Sequence, residues 1–313
     1  MNMRCREGMY DKILVPLDGS ELAESPLDYA KELAMRSGAE LILLHVCGPE
    51  ECNCGPDECH IQPMHRVYLE HTKNILREAL KKAGSETEQL SSVVLAGDPA
   101  YEILRYIEEN KVSLIVMATH GRSGLRRWVM GSVAVKIHRC SSAPVRLVRS
   151  FQNEKMSTKD WPEKRILALL DGSEQAEQVL PYVVDHAKMS EAEVTLLRVC
   201  EKPFITSDYP EASMTLTWEE HVERVKSHYH KQCRLYLEEV ENRLKDTGLK
   251  INLESMLADN VAQEIIEYTA RSNPNLIAMT THAQCGLGIW PIGSTADKVI
   301  HGTSNPILLV RPR

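Results

Sequence analysis

The chain has 313 residues, of which 43% are hydrophobic and 26% charged, the composition of an ordinary globular protein long enough for two domains. Its formal net charge of −7 argues against general binding to nucleic acids or anionic membranes, because there is no basic surplus to neutralise phosphates. No apolar run reaches the ~18 residues of a membrane-spanning helix, and no apolar signal core precedes the first predicted strand, so we expect a cytoplasmic protein.

The first half of the chain, after an extension over residues 1–8, alternates short apolar runs with amphipathic segments. Strands are predicted at 13–17, 41–46, 93–96, 114–118 and 145–148. Helices are predicted at 18–38, 64–83, 99–110 and 131–139. In the first helix, Asp18 or Ser20 is the expected N-cap and Gly38 the expected end. The strands are nearly continuous in Val, Ile and Leu, which is typical of a parallel sheet covered by helices on both faces.

The second half of the chain repeats the first. Residues 12–34 match residues 165–187 at an offset of 153, which pairs Asp18 with Asp171. Later segments match at an offset of 162, so a net insertion of nine residues lies between 200 and 259. A long charged helix predicted at 218–246 falls in this region, and we expect it to be a solvated cover.

Two copies of one domain follow from this repeat. We place the first domain at 9–150, a polar linker at 151–164 and the second domain at 165–313. Alternating strands and helices in each copy predict an α/β fold, with two tandem doubly wound, mostly parallel five-stranded sheets and helices on both faces.

A candidate binding site lies where the predicted strands end. In doubly wound sheets, ligands bind beyond the carboxyl ends of the strands at the switch point. Asp18 follows the first strand, Val46 ends the second, and the glycine-rich stretch 118–132 follows the fourth. Glycines let backbone N–H groups approach a ligand, and a helix start leaves such donors unpaired, so Gly121, Gly131 and the backbone and hydroxyl of Ser132 would form an anion cradle.

Two interpretations of this stretch stay open. In the first, the cradle binds a nucleotide, with Arg126 and Arg127 adding positive charge and Asp18 and Val46 holding the base and ribose. In the second, Asp18 and Ser20 merely cap a helix and the glycines only form a tight turn.

The segments "VPLDGS", "GDPAYEI", "ATHGRSGLRRWVMGS" and "APVRLV" resemble the universal stress protein superfamily in its tandem two-domain form, over nearly all of residues 9–313. The motif of its ATP-binding members is Gly-x2-Gly-x9-Gly-Ser/Thr, and here Ala118 stands at the first glycine. The resemblance implies an adenine nucleotide α-hydrolase-like fold that binds ATP, ADP or AMP, with or without Mg, in the first domain. The residues implied in binding are Pro16, Leu17, Asp18, Val46, Ala118, Gly121, Arg122, Gly124, Gly131, Ser132 and Val133.

The resemblance also implies a role in stress response or signalling rather than catalysis, with at most slow ATP hydrolysis. It implies pairing through the last strand, either between the two domains of one chain or in a homodimer. The alternative function is an ATP-independent dimeric interaction scaffold with a metal-binding cysteine loop. The histidine of each repeat's glycine-rich stretch, His120 or His282, is a candidate catalytic base, although no recognised motif places a nucleophile beside it.

The second copy departs from the nucleotide motif. Thr280 and Ala283 replace the first two motif positions, whereas Gly293 and Ser294 remain. The two arginines of the first copy are also lost. We therefore expect a second site that is weaker than the first or empty.

The nine cysteines are odd in number and irregularly spaced, which argues against a full disulfide framework and favours reduced thiols or metal ligands. The segment 47–60 carries a candidate zinc-ligand set, with His65 as a spare ligand. The set is Cys52, Cys54, Cys59 and His60. Incidental reduced thiols are the alternative. Cys47 and Cys200 match between the repeats, so we expect them to pack at strand ends.

Overall fold

The computed structural model describes residues 10–48, 63–82, 89–119, 130–148, 164–205, 217–281 and 293–312. They divide into two compact units. Described residues up to 148, with 281, 293 and 304–312, belong to the first unit. Residues 164–280 and 294–303 belong to the second.

The first unit contains a parallel sheet with helices on both faces. Its parallel strands are β1 (Lys12–Leu17), β2 (Glu40–Cys47), β3 (Leu90–Ala96), β4 (Leu114–Ala118) and β5 (Val145–Val148). They lie in the order β3-β2-β1-β4-β5, and every neighbouring pair is parallel. All five residues of β4 and all four of β5 are buried, as expected for strands with helices on both faces. The predicted doubly wound sheet is confirmed.

Five helices connect these strands. They are α1 (Glu21–Glu24), α2 (Leu27–Ser37), α3 (Pro63–Lys82), α4 (Pro99–Asn110) and α5 (Ser132–Cys140). The single helix predicted at 18–38 is wrong, because Pro26 has no N–H to continue the ladder and becomes the N-cap of α2. The hydroxyl of Ser25 instead donates to the Leu22 carbonyl at 2.8 Å. Gly38, with a φ of 72°, ends α2 as predicted.

The second unit repeats the pattern with four parallel strands. They are β6 (Arg165–Leu169), β7 (Glu193–Glu201), β8 (Ile251–Ala258) and β9 (Leu276–Thr280), in the order β9-β6-β7-β8. Its helices are α6 (Glu174–Glu177), α7 (Leu180–Ser190), α8 (Trp218–Leu244), α9 (Val261–Ser272) and α10 (Ser294–Gly302), with a 3-10 turn at Lys245–Thr247. The last strand of the chain, β10 (Ile307–Val310), belongs to the first unit and pairs antiparallel with β5.

The long helix α8 covers β7 and β8 with one face. Cys233, Leu237 and Val240 are buried at helical spacing, while most of its other residues are half-buried or exposed, so the predicted cover is confirmed. Cys233 is bonded to Cys200 at the end of β7. The expectation of reduced thiols is therefore wrong for this pair, because α8 brings Cys233 onto the strand that carries Cys200. Among the residues that the structure covers, no helix has the length and apolar character needed to cross a bilayer.

Candidate functional site

The order in which the strands are added to the first sheet reverses at β1. The connection from β1 leads to β2 on one side, whereas β4 lies on the other side of β1. This is a switch point, at which parallel strands leave a crevice beyond their carboxyl ends. Leu17 ends β1 and Ala118 ends β4, while Val46 lies next to the end of β2; all three are buried. The predicted convergence of these strand ends is found in the fold.

Asp18 and Ser20 form a local turn directly after β1. The Asp18 carboxylate accepts the backbone N–H of Ser20 at 3.0 Å and its hydroxyl at 2.6 Å, both on Oδ1. The Ser20 oxygen in turn accepts from the Ala23 N–H at 3.2 Å and caps α1. Gly19 between them has a φ of 83°, a conformation that favours glycine. Asp18 therefore has a structural role in the turn whether or not a ligand binds.

The helix that follows β4 begins without a side-chain cap. Its N-cap is Gly131, whose N–H donates to the Thr119 carbonyl at 2.9 Å. Ser132 is exposed at the first helical position, and Val133 is half-buried behind it. In contrast, the neighbouring helix α4 is capped by the Asp98 carboxylate. The first turn of α5 thus presents backbone donors and the positive end of the helix dipole, and its N-cap residue supplies no side-chain hydrogen bond.

Several predicted site residues lie outside the described part of the chain. They are Gly121, Arg122, Gly124, Arg126 and Arg127 of the glycine-rich stretch, the histidines His120 and His282, Ala283, and the loop residues Cys52, Cys54, Cys59 and His60. The roles assigned to them from the sequence stay predictions. Pro16, half-buried in β1, lies one residue before Leu17.

The second unit has the same Asp-Gly-Ser turn after its first strand, but a different side chain packs against that turn. The Asp171 carboxylate accepts the Ser173 N–H at 2.8 Å and the Ser173 hydroxyl at 2.6 Å, and Ser173 caps α6. Arg198 of β7 lies against this turn, since a Cβ built on Gly172 would come within 2.5 Å of Arg198 Nη2. The guanidinium also lies 4.6 Å above the ring centroid of Tyr236. Retention of Asp171 is therefore explained by the turn alone.

In the first unit, His45 holds the position of Arg198 and faces a second histidine. His45 Nδ1 lies 2.8 Å from the Leu17 carbonyl oxygen, and His45 Nε2 lies 2.8 Å from His65 Nδ1 in the first turn of α3. The two rings stack with centroids 4.7 Å apart. Cys47 follows His45 on the same face of β2, and all three side chains are buried. Sequence reasoning missed His45, although the His-x-Cys spacing on a strand was a usable signal.

Tyr68 of α3 lies beside this histidine cluster. The Tyr68 hydroxyl donates to the Glu24 carboxylate at 2.8 Å, and its ring meets the His45 ring edge-on at 5.9 Å. Burial, followed by the bond to Glu24, raises the pKa of Tyr68 well above its usual value, so the hydroxyl stays protonated. It therefore acts as a hydrogen-bond donor that ties α3 to α1.

Comparison with known proteins gives one consistent family. A model of the universal stress protein family matches twice, at residues 9–149 and 163–311. Universal stress protein YxiE of Bacillus subtilis is 36% identical over 149 residues, which cover 45% of this chain and all of that protein. Universal stress protein MJ0531 of Methanocaldococcus jannaschii is 30% identical over 152 residues, 49% of this chain and 89% of that protein.

A similar architecture has been solved over the full length. The alignment with the crystal structure of a universal stress protein from Archaeoglobus fulgidus covers 96% of this chain and 98% of the solved chain. Its TM-score is 0.65 and the sequence identity is 19%. At this identity the likeness concerns the fold.

Proposed function

Since the chain belongs to the universal stress protein family, we propose that its first unit binds an adenine nucleotide at the carboxyl ends of β1, β2 and β4. The observation that carries this proposal is the meeting of these three strand ends near a switch point, with α5 starting after β4 without a side-chain cap. An apolar crevice beside a helix N-terminus suits a flat base at one end and phosphates at the other.

The described residues divide into two groups by chemistry. Pro16, Leu17 and Val46 offer apolar surface and backbone groups to the base, and Asp18 lies beside them for the ribose. Gly131, Ser132 and Val133 offer the first backbone amides of α5 to the phosphates, and the exposed Ser132 hydroxyl is a ligand for a phosphate oxygen or Mg. Ala118, with Gly121, Arg122 and Gly124 from outside the described residues, completes the set. ATP is the proposed ligand, and ADP and AMP are its smaller alternatives.

The second unit is proposed to bind nucleotide more weakly or not at all. The bulky guanidinium of Arg198 lies on the turn that corresponds to the base side of the first site. Thr280 and Ala283 also stand where the family motif has glycines. The Arg198 side chain at the turn and the loss of the motif glycines both disfavour a ligand that approaches the backbone closely.

The bound nucleotide is proposed to act as a signal rather than as a substrate turned over rapidly. Fast hydrolysis needs a base or a metal-activated water in line with the terminal phosphate. Asp18 is the acid at the proposed site, but one of its oxygens already accepts two hydrogen bonds within the turn. A ligand of this kind biases one arrangement of the protein in a stress response, with hydrolysis only a slow side reaction.

Resident nucleotide is the direct test. Protein purified without added nucleotide is denatured, and the released small molecules are identified by mass spectrometry. We expect ATP, ADP or AMP at up to about one equivalent per chain. A chain that releases none and also fails to bind added ATP would contradict the proposal.

An ATP-independent interaction scaffold is the second candidate, and one feature of α3 favours it. Met64, Val67 and Ile75 are more than half exposed on this helix, which leaves apolar surface available to a partner. The last strand β10 pairs with β5 within the chain, whereas formation of a homodimer stays a prediction under both candidates. Unchanged oligomeric state and partner binding in nucleotide-free protein would favour the scaffold.

A further inference from the structure

We propose that His45, Cys47 and His65 form a zinc-binding site in the first unit, distinct from the nucleotide site and from the cysteine loop at residues 52–60. One nitrogen or sulfur ligand atom from each of the three residues lies within 4.8 Å of the other two. Imidazole and thiolate are the ligands that zinc prefers. Three protein ligands leave one position of a tetrahedral ion for a water or another donor.

The hydrogen bond of His45 to the backbone prepares it for coordination. A carbonyl oxygen only accepts, so the His45 Nδ1 that lies 2.8 Å from Leu17 O carries the proton. In the neutral ring, the lone pair is then on Nε2, which points at His65. Metal-binding histidines usually donate their other N–H to a backbone carbonyl or a carboxylate in this way, which fixes both the tautomer and the ring orientation.

The spacing of the three side chains needs only a small contraction to hold the ion. Zinc at about 2.0 Å from nitrogen and about 2.3 Å from sulfur places its ligand atoms about 3.3–3.6 Å apart. His45 Nε2 and His65 Nδ1 lie 2.8 Å apart and would open slightly, while the widest separation in the cluster would close by about 1 Å. His45 is 1% exposed, Cys47 0% and His65 8%, so the ion would be shielded from solvent.

The second unit uses the matching positions for another cross-link between strand and helix. Tyr68 and Leu69 of α3 match Tyr236 and Leu237 of α8 at an offset of 168, which pairs His65 with Cys233. Cys47 pairs with Cys200 at the earlier offset. In the second unit these two positions form the Cys200–Cys233 disulfide. The first unit has one thiol and two imidazoles at this place, a set that joins strand and helix through a metal instead of a disulfide.

Metal analysis of the full chain tests the site. After dialysis against a weak chelator, we expect about one zinc per chain. His65→Gln should lose the zinc. Loss of a residue that only hydrogen-bonds to a ligand lowers metal affinity about 10- to 100-fold, and loss of a ligand itself lowers it further. The control Cys52→Ser/Cys54→Ser/Cys59→Ser should keep its zinc, and so should Cys233→Ser in the second unit. Zinc retained by His65→Gln, or lost only from the triple loop variant, overturns the proposal.

X-ray absorption of the zinc-loaded wild-type chain gives a test that needs no variant to fold. The proposed set predicts one sulfur at about 2.3 Å and at least two nitrogens at about 2.0 Å. Two or more sulfurs would assign the metal to the loop cysteines and overturn the proposal. A wild-type chain that takes up no zinc would also overturn it.

Discussion

Cys233 is bonded to Cys200 in the second unit at the position that corresponds to His65 beside Cys47 in the first. The disulfide joins the second strand of its unit to the helix that covers it, and in the first unit the hydrogen bond between His45 and His65 makes the corresponding link. In each unit a tyrosine one turn further along the same helix lies near a glutamate of the short helix after the first strand, Tyr68 near Glu24 and Tyr236 near Glu177. The two units thus share a joint between strand, cover helix and first helix but close it with different chemistry.

The disulfide should stabilise the second unit. Its 33-residue separation predicts about 3–4 kcal/mol from the lower entropy of the unfolded chain. We expect Cys233→Ser to lower the free energy of unfolding by about this amount under oxidising conditions, measured in urea. Under reducing conditions the variant and the wild type should differ by much less. Cys140→Ser, which changes an exposed cysteine of the first unit, is the control. A wild-type protein whose free energy of unfolding is the same with and without reductant would contradict this role.

The ion pair between Glu177 and Arg243 predicts a dependence on pH. The Arg243 guanidinium, 2.8 Å from the carboxylate, holds the pKa of Glu177 below its usual value. A lowered folded pKa stabilises the protein fully above the unfolded value of about 4.3, and this stability is lost as pH falls through the folded value. Because Arg243 is more than half exposed, the effect should be at most about 1 kcal/mol.

Arg243→Gln should therefore be less stable than wild type at neutral pH and approach it below about pH 4. Urea unfolding at several pH values measures the difference. In a Glu177→Gln background the same Arg243→Gln change should have a small effect at every pH. A constant difference in both backgrounds would show that the arginine acts through packing rather than charge.

The two aspartates of the repeated turn provide a matched pair. Asp18→Ala and Asp171→Ala each remove two hydrogen bonds to the following serine, so each should destabilise its unit by about 1–2 kcal/mol. Only Asp18→Ala should also weaken nucleotide binding, because only the first site is proposed to be functional. Thermal unfolding and calorimetric titration separate the two effects. Equal weakening of binding by both variants would contradict the assignment of Asp18 to the ribose.

Most strands and helices could be predicted from the sequence because their periodicity is local. The helix at 99–110 and the strands at 114–118 and 145–148 agree with the structure at both ends. The break before α2 was missed, because Pro26 fits a first helical turn as well as a new N-cap. The bonds from the Ser25 backbone N–H and hydroxyl to the Leu22 carbonyl show that one short helix ends there.

The parts that could not be predicted depend on contacts between distant segments. His45 and His65 meet because α3 packs on β2, and Cys233 reaches Cys200 because α8 packs on β7. Apolar spacing shows which face of a helix is buried, but the position of that helix along the strand is set by the packing of the whole unit. The adjacency of the strand ends that carry Leu17, Val46 and Ala118 was easier to predict, since the ends of neighbouring parallel strands meet by topology.

Hydrolysis should be slow in this protein. With Asp18 engaged in its turn, no described acid is free of a structural task beside the start of α5, so we expect turnover well below the ~1–100 s⁻¹ of kinases. A steady-state phosphate-release assay with ATP and Mg measures it. His120→Ala is the informative variant, because His120 is the candidate base from the sequence. Turnover above about 1 s⁻¹ that His120→Ala removes without loss of binding would make this protein an enzyme.

Calorimetric titration of ATP with Mg into the wild type, Gly131→Val and Gly293→Val measures whether the chain has one functional nucleotide site. Gly131 has φ −59° and ψ 148°, which valine also adopts, so the substitution adds bulk where the phosphates would meet α5 without straining the backbone. A Cβ on Gly293 meets nothing within 4 Å, which makes Gly293→Val a matched control at the corresponding position of the second sequence repeat. We expect one strong site per chain, weakened at least about tenfold, or about 1.4 kcal/mol, by Gly131→Val and unchanged by Gly293→Val. Two equal sites, or equal losses in both variants, would contradict it.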